Sequence, residues 1–339
     1  MTFELVALIV VVALVFDFFN GFNDAANSIA TVVATRVLSP FQAVAWAAFF
    51  NFVSAFTFGT AVAKTIGSGL IRTEEITPGV ILCGLVGAIA WVYSTSMLGL
   101  PVSASHALMG GYAGAAIAHA QMFRGFGASF DPLLLSGWLP TLVFIVLSPV
   151  LGLVLAGILV TAVYWLFRHS TPMRMDRYFR RLQLLSAAAF SYSHGTNDAQ
   201  KTMGIITGAL VAGGYLQEFK VPVWVILCAH TAIAVGTISG GWRVVQTMGT
   251  RITRLKPREG FCAETAGACS VLFATFLGQP VSTTHTIAGA IAGVGVVRRL
   301  KAVRWRMTTK IGWAWVLTIP CSAAVGWLSY HLVRLFFDI

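Results

Sequence analysis

The sequence reads as an all-α polytopic membrane protein made of two inverted-topology repeats, each with a broken helix and a re-entrant helical hairpin. Three features lead there: an apolar composition that leaves no soluble half, basic residues gathered into a few short segments, and two motifs that each occur twice in the same order. The 339 residues are 57% hydrophobic and 10% charged, with a mean hydropathy of +0.80. A soluble domain carries about 25% charged residues. A spanning helix needs about 20 mostly apolar residues, and apolar runs near 5–16, 78–98, 133–167 and 313–337 recur along the chain. Nothing is left over for a soluble catalytic or nucleic-acid-binding domain. Membrane lipid is the partner that composition implies, and nucleic acid is not, despite a net charge of +11.

That charge has an orientational meaning. Most of the 23 Lys and Arg residues lie in the segments 168–181, 243–258 and 298–310. Cytoplasmic loops carry such an excess, so all three are placed inside. The connections at 72–75, 121–131 and 217–220 are poorer in basic residues and are placed outside. The segment 261–297 then begins and ends inside, and 78–120 begins and ends outside. Each is expected to be a helical hairpin, and the two enter from opposite faces. The five cysteines form no C-x-x-C pair and read as small core hydrophobes. The N-terminus lacks a basic region and an A-x-A site, so it is expected to be retained rather than cleaved.

The hairpin tips match each other. Gly99, Pro101, Val102, Ser103, His106 and Gly110 pair with Gly278, Pro280, Val281, Ser282, His285 and Gly289 at an offset of 179. Gly21-Phe22-Asn23-Asp24-Ala25 pairs with Gly195-Thr196-Asn197-Asp198-Ala199 at an offset of 174. Two matched motifs in one order indicate a duplicated unit. The expected division is repeat 1 over 1–167, a cytoplasmic connecting loop over 168–181, and repeat 2 over 182–339. Charge bias gives the repeats opposite orientation, a transporter design in which the site lies near the midplane.

The motifs carry opposite chemistries. Asp24 and Asp198 lie midway along apolar segments of about 30 residues, longer than an upright span needs, which predicts an interruption or a strong tilt there. A carboxylate at that depth costs several kcal/mol, roughly, unless paired or hydrated. A cation bound by Asp24, Asp198, Asn23, Asn27 and Asn197, or a proton, would pair it; an ion pair of Asp198 with Lys201 is the simpler alternative. At the hairpin tips, Pro followed by Ser or Thr is a helix-start signature. Ser103, Ser105, Ser282, Thr283 and Thr284 would place hydroxyls beside free N–H groups, where helix N-termini attract anions. Neither tip carries Arg or Lys, so a small oxyanion would be held by dipoles and neutral donors with a cation beside it.

Other residues play auxiliary parts in this reading. His106 and His285 occupy equivalent positions and are expected to pack the hairpins, with a metal or proton relay as the alternative. Glu264 has no acidic counterpart in repeat 1 and is either a cation or proton carrier or a solvated group near the cytoplasmic mouth. Asp17 coordinates or caps, and Gln200 and Lys201 follow the second Asn-Asp pair. Gly110-x-x-x-Gly114 and Gly289-x-x-x-Gly293 fit close helix packing.

At these residues the sequence resembles the inorganic phosphate transporter (PiT) family. Gly21-Phe22-Asn23-Asp24-Ala25-Ala26-Asn27-Ser28, His194-Gly195-Thr196-Asn197-Asp198-Ala199-Gln200-Lys201 and the two Pro-Val-Ser-x-x-His tips carry the resemblance, which covers essentially the whole chain. It implies a secondary transporter moving phosphate with Na+ or H+, with Asn-Asp motifs at the cation sites and tip hydroxyls on phosphate. Animal Na+-coupled members look to be acidic where this chain has Asn51 and in the first hairpin arm, which here is apolar near Ile81, and Glu264 matches the acidic residue of their second hairpin. The short central connection looks like the compact bacterial members, one branch of which carries sulfate.

The expected function is a cation-coupled symporter importing inorganic phosphate by alternating access, in a bacterial cytoplasmic membrane, with no cofactor beyond the co-transported ion. A metal–phosphate complex is a variant of the substrate, and a homodimer is the expected assembly. The alternatives are a sulfate permease on the same fold, an anion channel, and an intramembrane enzyme. The last is disfavoured because the Ser–His pairs of the tips are duplicated, whereas one dyad suffices for catalysis.

Overall fold

The computed structural model describes residues 2–57 and 59–336, and these form twelve α-helices. The first six are α1 (Phe3–Ala34), α2 (Pro40–Val53), α3 (Ala61–Ser68), α4 (Pro78–Met97), α5 (Ala104–Arg124) and α6 (Leu135–Leu166). The second six are α7 (Pro172–Ala212), α8 (Val223–Ser239), α9 (Trp242–Thr250), α10 (Pro257–Phe276), α11 (Thr283–Arg298) and α12 (Trp305–Arg334). Helices α1, α4, α6 and α12 are long and apolar enough to cross a membrane. Helices α2, α4, α7 and α10 open on a proline, which loses nothing at a position whose N–H has no partner inside the helix.

Of the interruption or strong tilt expected in the Asn-Asp segments, the interruption is absent. Helix α1 runs unbroken for 32 residues through Asp24, and α7 for 41 residues through Asp198. Neither stretch contains proline past its first position, and the carboxylates find side-chain partners, Thr283 and Thr284 of α11 for Asp24 and Lys201 of α7 itself for Asp198, so no unwound backbone is needed to satisfy them. The bends fall one helix later in each half. Helices α8 and α9 bend by 74° at Gly240-Gly241, and α2 and α3 by 86°. Gly240 ends α8 with φ +57°, a left-handed conformation that costs other residues more than glycine. The 168–181 connection is also shorter than a loop of that span. Helix α7 begins at Pro172, so Arg174, Arg177, Arg180 and Arg181 ride on its first turns.

The tips fall where the motifs put them. Helices α4 and α5 pack together around the turn 98–103, and α10 and α11 around 277–282. Gly99 and Gly278 take φ +67° and +68° at matched places in those turns. Each hairpin leans on the other half of the chain: α5 packs along α12, and α11 along α6. The glycines of the G-x-x-x-G pairs permit this. A Cβ at Gly114 would run into the Ala323 carbonyl, and one at Gly293 into the Leu153 carbonyl.

Helices α1 and α7 lie antiparallel. Phe3 of α1 meets Tyr215 just past α7 with ring centroids 6.4 Å apart, and Thr35 at the end of α1 donates to Gln183 near the start of α7 at 2.8 Å. One apolar core, with Phe16, Ile66, Leu85, Met203 and Tyr330, surrounds the first part of α1 and the last part of α7. A second, with Ile29, Val44, Phe190, Cys262 and Ile291, surrounds the opposite ends. Between the cores lies a buried polar layer running from Asp17 to Thr31 on α1 and from Gln183 to Thr202 on α7. Of the cysteines, Cys83 and Cys262 are buried as expected, while Cys269 is exposed.

Candidate functional site

The site forms where the two hairpin tips meet the middles of α1 and α7. Each tip is a helix start. Ser103 precedes α5 and accepts from the His106 N–H at 3.2 Å; Ser282 precedes α11 and accepts from the His285 N–H at 3.2 Å. The first N–H groups of any helix lack partners within it, and each serine satisfies one of them, which is its first role here. The tips are then bonded to each other reciprocally. Ser105 Oγ donates to the Val281 carbonyl at 3.2 Å, and Thr284 Oγ1 donates to the Val102 carbonyl at 3.2 Å. Both pairs are buried, so the positive ends of α5 and α11 share one enclosed region.

The asparagines of the Asn-Asp pairs hold these tips. Asn23 Nδ2 donates to the Val102 carbonyl at 3.0 Å, while its Oδ1 accepts from Ser96 Oγ at 2.8 Å. Asn197 Nδ2 donates to Thr275 Oγ1 at 2.8 Å and to the Gln279 carbonyl at 3.2 Å, while its Oδ1 accepts from the Val281 N–H at 3.3 Å. Ser96 and Thr275 lie at the 179 offset, so the two clamps correspond. Each asparagine thus reaches the hairpin of its own half.

The aspartates reach differently. Asp24 accepts from Thr283 Oγ1 at 3.2 Å and from Asn23 Nδ2 at 2.5 Å, and it shares the one hydroxyl proton of Thr284, whose Oγ1 lies 3.2 Å away, with the Val102 carbonyl. Asn27, one turn further along α1, donates to Thr284 Oγ1 at 2.9 Å. Asp198 accepts from Lys201 Nζ at 2.6 Å, and Lys201 also donates to Ser105 Oγ and, at 3.0 Å, to the Val281 carbonyl. The ion pair of Asp198 with Lys201 is formed. Both residues are wholly buried.

His194 joins the two aspartates, and the sequence reading gave it no role. Its Nε2 lies 3.7 Å from Asp24 Oδ2 and 3.6 Å from Asp198 Oδ2. Its tautomer follows from its neighbours. Thr237 Oγ1 donates to the Ile233 carbonyl at 2.8 Å, so it accepts from Asn51 Nδ2 at 3.0 Å. Asn51 Oδ1 therefore faces His194 Nδ1 at 3.1 Å and accepts its proton. Nε2 is the ring nitrogen turned toward the two carboxylates. Asp24, His194 and Asp198 each offer a ligand atom within 4.8 Å of the others, and His194 Nε2 and Asp198 Oδ2 have no hydrogen-bond partner among the described residues. Two carboxylate oxygens and an imidazole nitrogen, buried together, suit a cation or a shared proton. The motif's own first residue was the available signal: His194 stands four residues, one turn, before Asp198.

The remaining expected residues lie around this centre rather than in it. Gln200 Oε1 accepts from the Val62 and Ala63 N–H groups at 3.0 and 3.3 Å, so it caps the start of α3. His106 and His285 meet edge to face at 4.7 Å, and His285 stacks on Trp315 at 3.9 Å. Trp315 Nε1 in turn donates to the Pro101 carbonyl at 3.1 Å, so this aromatic group braces the first tip. Glu264 is wholly buried, not solvated. It accepts from Thr31 at 2.5 Å, from Gln183 at 3.0 Å and from Ser186, which ties α10 to α1 and α7. Asp17 is buried two turns before Asp24 and accepts from Asn20 at 3.3 Å.

The glycines of the motifs set the helix spacing. A Cβ at Gly21 would overlap the Ile233 carbonyl of α8, and one at Gly195 would stand 2.6 Å from the Asn51 carbonyl of α2. Both helices approach at the residues that carry the aspartates, which lets Asn51 reach His194.

Comparison with known proteins places this arrangement. The model of the phosphate transporter family matches residues 20–326. The chain is 52% identical to a probable low-affinity inorganic phosphate transporter of Rhizobium meliloti (strain 1021), over 99% of this chain and 98% of that one. It is 43% identical to a probable low-affinity inorganic phosphate transporter of Bacillus subtilis (strain 168), over 98% of each chain. A solved structure of a sodium-dependent phosphate transporter shares the fold, with a TM-score of 0.87 at 24% identity over 98% of this chain and 100% of that one. The chain belongs to the phosphate transporter family.

Proposed function

We propose that this chain is a secondary carrier that imports inorganic phosphate with a cation, Na+ or H+, across a bacterial cytoplasmic membrane. The single observation that carries the reading is the reciprocal pairing of the tips, Ser105 with Val281 and Thr284 with Val102, beside buried aspartates. Helix N-termini favour negative charge, and the carboxylates favour positive charge. An anion and a cation bound together satisfy both.

In this reading the halves 1–167 and 182–339, joined through 168–181, are inverted repeats, and the two hairpins are re-entrant from opposite faces. The antiparallel course of α1 and α7 and the exchange of hairpins between halves support it. Phosphate sits at the N-termini of α5 and α11, on Ser103, Ser105, Ser282, Thr283 and Thr284. The cation sits among Asp24, Asn27, Asp198 and His194. Asn23 and Asn197 keep the tips in place instead of binding the ion. Access alternates as one tip withdraws while the other stays bonded to its asparagine.

Phosphate is preferred over sulfate for a chemical reason as well as by family. A protonated phosphate oxygen can donate a hydrogen bond and sulfate cannot, and Asp24 is an acceptor at the tips. The test is uptake of labelled phosphate into proteoliposomes holding the purified protein, with excess sulfate as competitor. Uptake that resists sulfate is the expected result; full block by sulfate would move the reading to a sulfate permease.

A further inference from the structure

The two halves of the site differ at several buried positions, and one difference sets a fixed positive charge beside a hairpin tip. At the offset of 174 that aligns Asp24 with Asp198, Asn27 aligns with Lys201. At the offset of 179 that aligns the tips, Thr284 aligns with Ser105. The contacts obey the same correspondence: Asn27 donates to Thr284, and Lys201 donates to Ser105. The first half therefore sets a neutral amide against the tip hydroxyl, and the second half sets an ammonium there.

Lys201 is fully buried and is among the largest side chains so enclosed. Its nitrogen is met by a carboxylate oxygen of Asp198 at 2.6 Å, by the Ser105 hydroxyl and by the Val281 carbonyl at 3.0 Å. Carboxylate, hydroxyl and carbonyl oxygens are the ligands that a hard cation takes from protein. Asp24, in the other half, is met by the hydroxyls of Thr283 and Thr284 and the Asn23 amide. Those neighbours bring no charge to balance it.

We infer that Lys201 is a built-in cation, its ammonium taking in the second half the place that a mobile cation takes in the first. The inference rests on the cation reading given above. Its consequence is stoichiometric. With the His194 ring neutral, Asp24, Asp198 and Lys201 together carry one net negative charge, so one mobile cation balances the pair of halves. With asparagine at both matched positions the charge would be two, and a second mobile cation would be required.

The test is phosphate binding to the purified full-length protein, measured by calorimetry at fixed pH over a range of Na+ concentrations, for wild type and for Lys201→Asn. The logarithm of the phosphate affinity plotted against the logarithm of Na+ concentration gives the number of Na+ ions taken up. That slope is expected to rise by one in the variant, whatever its wild-type value, so each tenfold rise in Na+ tightens binding about tenfold more than in wild type. An unchanged slope in a variant that binds phosphate overturns the inference. If Lys201→Asn is unstable, its melting temperature is expected to climb more steeply with Na+ than that of wild type. Instability that none of Na+, Li+, K+ and NH4+ relieves also overturns it. Failure of the wild type to bind phosphate would instead sink the reading of the site.

Discussion

Asp24 on α1 and Thr284 on α11 are 260 residues apart in sequence and 3.2 Å apart in space, carboxylate to hydroxyl. This contact joins the first half of the chain to the hairpin tip of the second. Asp24 makes no ion pair with a lysine or arginine, whereas Asp198 pairs with Lys201. The two matched aspartates should therefore respond differently to neutralisation.

Asp24→Asn keeps the size of the side chain and removes its charge. Hydrogen bonds to charged groups contribute about 1.5–3 kcal/mol each, so weakening those from Thr283 and Thr284 should lower cation-dependent phosphate uptake by roughly a hundredfold or more. The fold should persist, as judged by an unchanged elution profile in detergent. Wild-type uptake in this variant would remove Asp24 from the cation site.

Asp198→Asn should fail for another reason. It strands the Lys201 ammonium in the interior, and removing one member of a buried pair costs about 3–5 kcal/mol. A clear fall in melting temperature is expected. The double variant Asp198→Asn, Lys201→Met should recover much of that stability without recovering uptake. Equal melting temperatures for the single and double variants would contradict the pairing.

Asn23→Ala and Asn197→Ala should loosen the tips and leave the ion alone. Each substitution removes bonds of about 0.5–1.5 kcal/mol. Apparent phosphate affinity should fall by roughly three- to tenfold for one lost bond and further when both are lost. The dependence on cation concentration should keep its shape. A change in that dependence would restore the asparagines as ion ligands.

Gly195→Ala should act through Asn51. The new methyl group meets Ser54 Oγ and the backbone of Asn51, which pushes α2 away from α7 and breaks the Asn51–His194 bond. Overpacking of this kind costs about 1–3 kcal/mol. Uptake should drop along with thermal stability, while a glycine outside the close contacts, Gly127, should tolerate alanine.

The chemistry of the site was legible in the sequence because it is local: Pro-Val-Ser at a helix start and Asn-Asp in an apolar run each announce their character within a few residues. The duplicated spacing also located both tips to within a turn. What was hidden is cross-pairing. Nothing within the Asn-Asp motif says that Asn23 returns to its own hairpin while Asp24 crosses to Thr283 and Thr284. Length alone suggested a break near Asp24, but the partners that satisfy the carboxylate come from helices hundreds of residues away, and the helix runs on. Gln200 looked like a candidate ligand because it follows Asp198; its amide instead caps α3, whose two-residue contact at Val62 and Ala63 leaves no local trace. His194 stood in plain view within the motif, yet its importance depends on Asn51 fixing the proton on the far nitrogen.

Coupling is the central claim, and it is measured most directly by whether phosphate is driven uphill. Proteoliposomes holding the wild-type protein would be loaded with equal labelled phosphate inside and out, then given an inward Na+ gradient, an inward proton gradient, or neither. Net accumulation of phosphate above its starting level under one of the two gradients, and none without a gradient, is the predicted result. Phosphate exchange that never exceeds equilibrium under either gradient would contradict a coupled carrier and would favour a channel.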